Sequence, residues 1–308
     1  MTPLHIETPL LESRPLSARA GRGVWLKMEA LQPPGSFKLR GIGLACQEQA
    51  KRGAGRFISS SGGNAGIAVA YAGRQLGIPV TVVVPETASE HAKGLIRQEE
   101  AEVIVHGPSW QEANAHAQAL IGERDAFLHP FDDPLLWRGH ASMIDEVAAA
   151  GWRPDAVVLS VGGGGLMCGV VEGLRRNGWD DVPVVAVETA GADSLAQSVA
   201  AGRRVELPGI ASVATSLGAR RVCEAAFDWT ARHPVTSAVV SDGQAVRACL
   251  DFLDDHRLLV EPACGASLAL AYGRHEALQT FERVLVIVCG GATVTAEGLR
   301  ALSARLGA

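Results

Sequence analysis

Four short stretches carry residue types that could do chemistry together. The first is Pro33-Pro34-Gly35-Ser36-Phe37-Lys38-Leu39-Arg40-Gly41. Two prolines and a glycine interrupt regular structure and shape a loop. Ser36 then reads as a helix N-cap, which puts Lys38 in the first helical turn. A helix N-terminus carries partial positive charge, so an ammonium is poorly placed there. That pressure favours a neutral amine, the species that condenses with a carbonyl compound. Most lysines at helix starts are solvated surface groups, so the remaining stretches have to decide.

The second stretch, Ser59-Ser60-Ser61-Gly62-Gly63-Asn64-Ala65-Gly66, falls between a strand and a helix. Free N–H groups at the helix start, three hydroxyls and glycines that admit a close ligand suit a carboxylate. The third is Ser160-Val161-Gly162-Gly163-Gly164-Gly165-Leu166, directly after the apolar run Ala156–Leu159. Backbone N–H groups of such a turn, aided by the helix dipole, cradle a phosphate. Glu188 ends a strand roughly 20 residues on, where a dinucleotide fold keeps its ribose-binding acid. The G-x-G-x-x-G register nevertheless fails, because the last glycine position falls on Met167 counted from Gly162 and on Cys168 counted from Gly163. No Gly-Lys-Ser/Thr follows either, so a P-loop fails and a cradle for a single phosphate remains. The fourth is Val286-Ile287-Val288-Cys289-Gly290-Gly291-Ala292, an apolar strand ending in a thiol and two glycines. A thiol of ordinary pKa ~8.5 can share a hydrogen bond without delivering the charge that a carboxylate would.

The elements that position these stretches alternate between strand and helix. Expected strands are Val24–Lys27, Arg56–Ser59, Val80–Val84, Val103–His106, Ala156–Val161, Val182–Glu188 and Val284–Val288. Expected helices are Lys38–Lys51, Ala65–Leu76, Glu90–Glu99, Gly139–Ala149, Leu166–Arg176, Asp193–Ala201 and Ala296–Leu306. Ser109-Trp110-Gln111-Glu112 is a capping box that opens a further helix to Leu120. Others lie near Val222–Ala231, Gly243–His256 and Ala263–His275. This βα rhythm predicts an α/β fold with mostly parallel, twisted sheets covered by helices. Val260-Glu261-Pro262-Ala263 starts a helix with proline, and nothing in its types assigns it chemistry. His140, in an apolar helix, reads as a satisfied core residue.

The chain has 308 residues, 47% hydrophobic and 20% charged, enough for two domains of ordinary size. Glycine supplies 35 of the 308 residues, above the usual ~7%, and the excess sits in the runs above. Net charge is −5 without a Lys/Arg block, which excludes a nucleic-acid or membrane-surface footprint. Six widely spaced cysteines without Cys-x-x-Cys argue against a zinc site or a disulfide framework and for a reducing cytoplasm. No basic leader with an apolar core opens the chain, and no apolar run reaches the ~18 residues of a membrane span.

Taken together, the four motifs in this order resemble the fold-type II pyridoxal-phosphate (PLP) enzymes. Pro-Gly-Ser-Phe-Lys-Leu-Arg-Gly is most similar to the serine/threonine dehydratases, and among these to the liver-type group. The resemblance spans about residues 8–305. It implies a large PLP-binding domain of residues 1–39 and 131–308, a small domain of residues 40–130, and the cofactor in the cleft. It implies a Schiff base to catalytic Lys38, with Phe37 beside the ring and Asn64 bonding the ring oxygen. Gly162, Gly163, Gly164, Gly165 and Leu166 would hold the phosphate, and Cys289 would face the ring nitrogen. Ser61, Gly62, Gly63 and Asn64 would bind the substrate carboxylate. A monovalent cation, expected to be potassium, would take Gly162, Glu188, Ala192, Ser194, Leu217 and Ala219, largely through carbonyl oxygens. For Glu188 the alternative is a strand-end carboxylate capping the next loop. The implied activity is elimination of water from L-serine or L-threonine, with ammonia released, by a homodimer. A racemase or a β-replacement synthase of the same fold is the nearest rival. Racemases generally carry Ser at the position of Cys289, and the synthases carry Thr-Gly-Asn in the carboxylate loop. A non-catalytic phosphate-binding module is the rival from another class.

Overall fold

Several strands are mostly apolar runs with every residue buried, as a parallel strand covered on both faces requires. Val80–Val84 and Ala156–Ser160 are both of this kind. The computed structural model describes residues 2–308. Its first half runs β1 (Leu10–Glu12), α1 (Arg14–Ala20), β2 (Gly23–Lys27), α2 (Lys38–Lys51), β3 (Arg56–Ser59), α3 (Asn64–Leu76) and β4 (Val80–Val84). It continues with α4 (Glu90–Gln98), β5 (Glu102–Val105), α5 (Trp110–Ala119), β6 (Asp125–Phe127) and α6 (Pro134–Ala149). Then come β7 (Ala156–Ser160), α7 (Gly165–Arg176), β8 (Val184–Thr189), α8 (Ser194–Ala201), α9 (Glu224–Arg232) and β9 (Val235–Val240). The chain closes with α10 (Asp242–His256), α11 (Pro262–Tyr272), β10 (Arg283–Ile287) and α12 (Ala296–Leu306).

Two sheets result. The larger has the order β1-β2-β10-β7-β8-β9 and is parallel apart from the antiparallel edge strand β1. The smaller, β5-β4-β3-β6, is wholly parallel. Each carries its own hydrophobic core, one built on β7, β8, β10, α7 and α11, the other on β4 and α3. In open parallel sheets, ligands collect beyond the carboxyl ends of strands where the order reverses. Here β10 and β7 are neighbours, with Val286 paired to Val158. Continuing that register brings Cys289 level with Val161, one residue before the glycine run.

Most expected elements are present, and the departures have local causes. Helix α6 starts at Pro134, five residues before the expected Gly139, with the Asp133 side chain accepting from Leu135 N at 2.7 Å. Its true signal is the cap followed by proline at the first helical position. Strand β6 was not expected because it is three residues long and opens on Asp125. It is held as an edge by pairing with β3 and by the Arg56–Asp125 ion pair. The elements β1, α1 and β9 were likewise not expected. Ser36 is not the N-cap of α2. Phe37 occupies that position, without a side-chain cap, and Ser36 instead bridges to Gly290 with its hydroxyl buried and unpartnered.

Candidate active site

Lys38 is the first residue of α2, and the loop before it is sewn to the end of β10. Phe37 N donates to Cys289 O at 3.1 Å, Gly291 N to Gly35 O at 2.9 Å, and Ala30 N to Val288 O at 2.9 Å. Gly35 and Gly290 both have positive φ, which lets the two loops lie backbone to backbone. The Lys38 amine donates to Pro130 O at 2.6 Å. Burial pushes its pKa down to about 8, and the nearby Cys289 and Glu261 pull the other way. Desolvation thus shifts the amine toward the neutral form, the direction expected from the helix dipole.

Helix α2 is anchored by a buried ion network two residues further on. Arg40, wholly buried, donates to Glu29 from Nε at 2.7 Å and from Nη2 at 2.8 Å. It also donates to Glu146 from Nη1 at 2.6 Å and from Nη2 at 2.7 Å, and Lys27 pairs with the same carboxylate. Sequence reasoning missed this network because its members lie on four separate elements.

The glycine run is tight on every side. A Cβ on Gly163 would lie 2.3 Å from the Phe131 ring, and one on Gly165 2.6 Å from Phe131 O. Gly164 has φ +94, and a Cβ there would lie 2.4 Å from that of Ala226. Gly164 is also the N-cap of α7 and offers no side-chain cap, so the first amides of that helix, including that of buried Leu166, have no side-chain partner there. The Lys38 and glycine motifs meet through one loop: Pro130 accepts from the lysine, and Phe131 covers Gly163. Trp137 Nε1 donates to Phe131 O at 2.9 Å, while His129 Nδ1 accepts from Phe131 N and Asp132 N. The sequence reading gave this stretch no role beyond a crossing between the domains at Pro130–Pro134.

The Ser61-Gly62-Gly63-Asn64 turn opens α3, whose N-cap Gly63 also leaves the first amides free of side-chain caps. A Cβ on Gly66 would sit 1.8 Å from Ser61 O, so that glycine sets the turn. Part of the expected hydroxyl set is engaged within the protein. Ser60 is spent on Asn114 at 2.7 Å, Ser59 is buried without a partner, and Ser61 accepts from Gly63 N at 3.3 Å. Asn64 is engaged at both ends, accepting from Ala292 N at 3.0 Å and donating to Glu261 Oε1 at 2.7 Å. Glu261 is the residue that sequence reasoning passed over; an acid directly before a helix-starting proline was the available signal.

Cys289 ends the site at the tip of β10. A hydrogen bond with Cys264, followed by burial, pushes its pKa well up, so it is a protonated thiol at neutral pH. His140 corrects the expectation of a satisfied core residue. Both ring nitrogens are buried and unpartnered, its ring centroid lies 4.8 Å from that of Phe37, and burial holds it neutral.

The residues carried over for a cation fall around the ends of β7 and β8. A Cβ on Gly162 would lie 3.0 Å from Leu217 Cα, so these backbones touch. Thr189 bridges to Ala192, and the Ser194 hydroxyl is buried without a partner. Leu217 O accepts from Ala219 N at 2.8 Å. The Glu188 carboxylate accepts from Leu195 N at 2.8 Å and Ala196 N at 2.7 Å, which is the helix-capping role; burial raises its pKa to about 8. Among the described residues no group of three or more His, Cys, Asp or Glu could hold a metal ion.

Fold and site bring a part-buried lysine, a glycine run and a thiol together where two parallel-sheet units meet. The chain belongs to the pyridoxal-phosphate dependent enzyme family, whose model matches residues 1–290. It is 48% identical to L-serine dehydratase/L-threonine deaminase of Homo sapiens, over 99% of this chain and 96% of that protein. It is 49% identical to a serine dehydratase-like protein of Homo sapiens, with the same coverage. Among solved structures, the fungal L-serine ammonia-lyase from Rhizomucor miehei superposes with a TM-score of 0.94 at 35% identity, covering 98% of this chain and 99% of that one. The residues present fit PLP: a desolvated amine for its carbonyl, a cradle that no Cβ can enter for its phosphate, and a thiol for its ring nitrogen.

Proposed function

We propose that the chain is a PLP-dependent L-serine and L-threonine dehydratase, giving pyruvate or 2-oxobutanoate and ammonia. The observation that carries the reading is the Lys38 amine, its pKa lowered to about 8 by desolvation, beside a protonated thiol at Cys289 and not a carboxylate. PLP bound here supplies an electron sink that acidifies the Cα–H of an attached amino acid. Lys38 is the base that takes that proton. The amides at the start of α3, with Ser61, Gly62, Gly63 and Asn64, hold the substrate carboxylate. Gly162, Gly163, Gly164, Gly165 and Leu166 hold the phosphate. Cys289, a protonated thiol, would share a hydrogen bond with the ring nitrogen of the bound cofactor without giving it the full positive charge that a carboxylate would.

The division into residues 1–39 with 131–308 and residues 40–130 is part of this proposal, as are a homodimer and a cytoplasmic location. The two separate sheets support the first, and six free, buried cysteines support the last. Among the described residues no helix is long and apolar enough to cross a membrane. A potassium ion on Gly162, Glu188, Ala192, Ser194, Leu217 and Ala219 is supported by the unpartnered Ser194 hydroxyl and by the contact of Gly162 with Leu217.

The test is a visible spectrum of the purified protein, borohydride reduction, and a keto-acid assay with L-serine, L-threonine and D-serine. A yellow protein, a pyridoxyl adduct on Lys38 and pyruvate from L-serine are expected. Racemisation of leftover serine without keto acid would replace the dehydratase reading by the racemase one. A colourless protein that borohydride leaves unlabelled would end both.

A further inference from the structure

Glu261 is a buried acid that the proposed reaction leaves unused; burial raises its pKa, while its hydrogen-bond donors and the Lys38 charge favour the carboxylate. It immediately precedes α11, with Pro262 as the first helical residue. An acid in that place ordinarily caps its own helix. Here its side chain makes no bond to α11, and the first turn is closed by its backbone carbonyl, which accepts from Cys264 N at 2.8 Å and Gly265 N at 2.9 Å. The carboxylate turns outward instead. Oε1 accepts from Asn64 Nδ2 at 2.7 Å and Oε2 accepts from Thr293 Oγ1 at 2.9 Å, with Ser216 nearby. The residue is 4% exposed and lies in the wall of a cavity of about 140 Å³. The chain makes room for it: a Cβ on Gly291, at φ +132, would lie 2.2 Å from Glu261 Cδ.

Asn64 has two distinguishable ends, and both its partners agree on which is which. A carboxylate can only accept, and the Ala292 N–H can only donate. The amide is therefore held with Oδ1 on Ala292 and Nδ2 on Glu261. One Nδ2 hydrogen is left over, and its direction is settled by the first.

We propose that Glu261 is a positioning residue for cofactor binding: it locks the Asn64 amide so that a donor, and not the carbonyl, meets the oxygen on the cofactor ring. This rests on the PLP reading above. A flipped amide would set an acceptor against an acceptor at that contact. The lock spans the two sheet units, since Asn64 opens α3 on the small sheet and Glu261 opens α11 on the large one.

The experiment compares wild type with Glu261→Gln, Asn64→Ala and the double variant, reading cofactor Kd and visible absorption. Glutamine has the same shape but can donate as well as accept, so it no longer selects one amide orientation. Glu261→Gln should weaken cofactor binding about tenfold, the loss of one charge-assisted hydrogen bond, and shift the visible maximum. In the Asn64→Ala background the same change should do neither. An equal loss in that background, or an unmoved spectrum and Kd in the single variant, overturns the proposal. Should Glu261→Gln fail to fold, Glu261→Asp carries the same comparison, because the charge survives while its reach to Asn64 is lost. A colourless wild type overturns the cofactor reading and this inference together; a yellow wild type with an unaffected Glu261→Gln overturns this inference alone.

Discussion

The amine of Lys38 lies 2.6 Å from the backbone carbonyl oxygen of Pro130, across 92 residues of chain. The next residue, Phe131, places its ring against Gly163. One short loop thus touches both the Lys38 amine and the glycine run. It is held by His129 and Trp137, so neither contact depends on a free loop end.

The pH dependence of cofactor uptake follows from the same amine. Its neutral fraction falls about tenfold per unit below a pKa of about 8. Uptake by the cofactor-free protein should therefore slow about tenfold from pH 7 to pH 6 and level off above pH 9. The stability sign is also determined. Folding lowers the pKa from 10.5 to about 8, so between those values the unfolded chain binds more protons and cofactor-free stability rises with pH. A Lys38→Met variant should lose that share of the slope. Parallel thermal melts of the two proteins across pH 8–10.5 would contradict the assignment.

Arg40→Met should be strongly destabilising. It removes one cation from a buried network and leaves Glu29, itself fully buried, uncompensated. Breaking one side of such a pair costs about 3–5 kcal/mol. The expected drop in Tm is on the order of 10 °C. Cofactor affinity should fall with it, since Arg40 anchors the helix that begins with Lys38. A Tm within two degrees of wild type, read by calorimetry, would show that the network does not anchor α2.

Gly163→Ala tests the cradle. The added methyl would sit 2.3 Å from the Phe131 ring, so either the ring or the glycine turn has to move. Overpacking of this kind costs about 1–3 kcal/mol, and cofactor Kd should rise about tenfold. Phe131→Leu in the Gly163→Ala background should recover part of the affinity. An unchanged Kd in the single variant would place the phosphate elsewhere.

Exchange of potassium for tetramethylammonium tests the cation. An ion present at a hundredfold excess over its Kd stabilises the folded protein by about 2.7 kcal/mol, so the holoenzyme Tm should fall several degrees. Ser194→Ala should shrink that difference, because the buried hydroxyl is one of the oxygens offered. Identical melting curves in both salts would remove the cation from the site.

Much of the site was legible before any coordinates. The apolar strands, the three glycine-rich turns and the thiol at the end of β10 are set by neighbours a few residues away. Boundaries shifted where a cap was overlooked, as at Asp133–Pro134, and short edge strands such as β6 escaped because pairing, not propensity, makes them. Ser36 shows the reverse error: a good capping type whose backbone is drawn instead into a bridge with Gly290.

By itself, the sequence determined the residue types and the local backbone: a lysine after a shaped loop, glycines where a Cβ would clash, and a thiol where a carboxylate could have stood. Tertiary structure decided which groups are buried and what they face. The Lys38 pKa falls to about 8 because desolvation in the folded chain outweighs the pull of Cys289 and Glu261. The Glu261 carboxylate serves Asn64, 197 residues away, and not its own helix. Desolvation and hydrogen bonds across the fold depend on distance in space, and local sequence does not carry that distance.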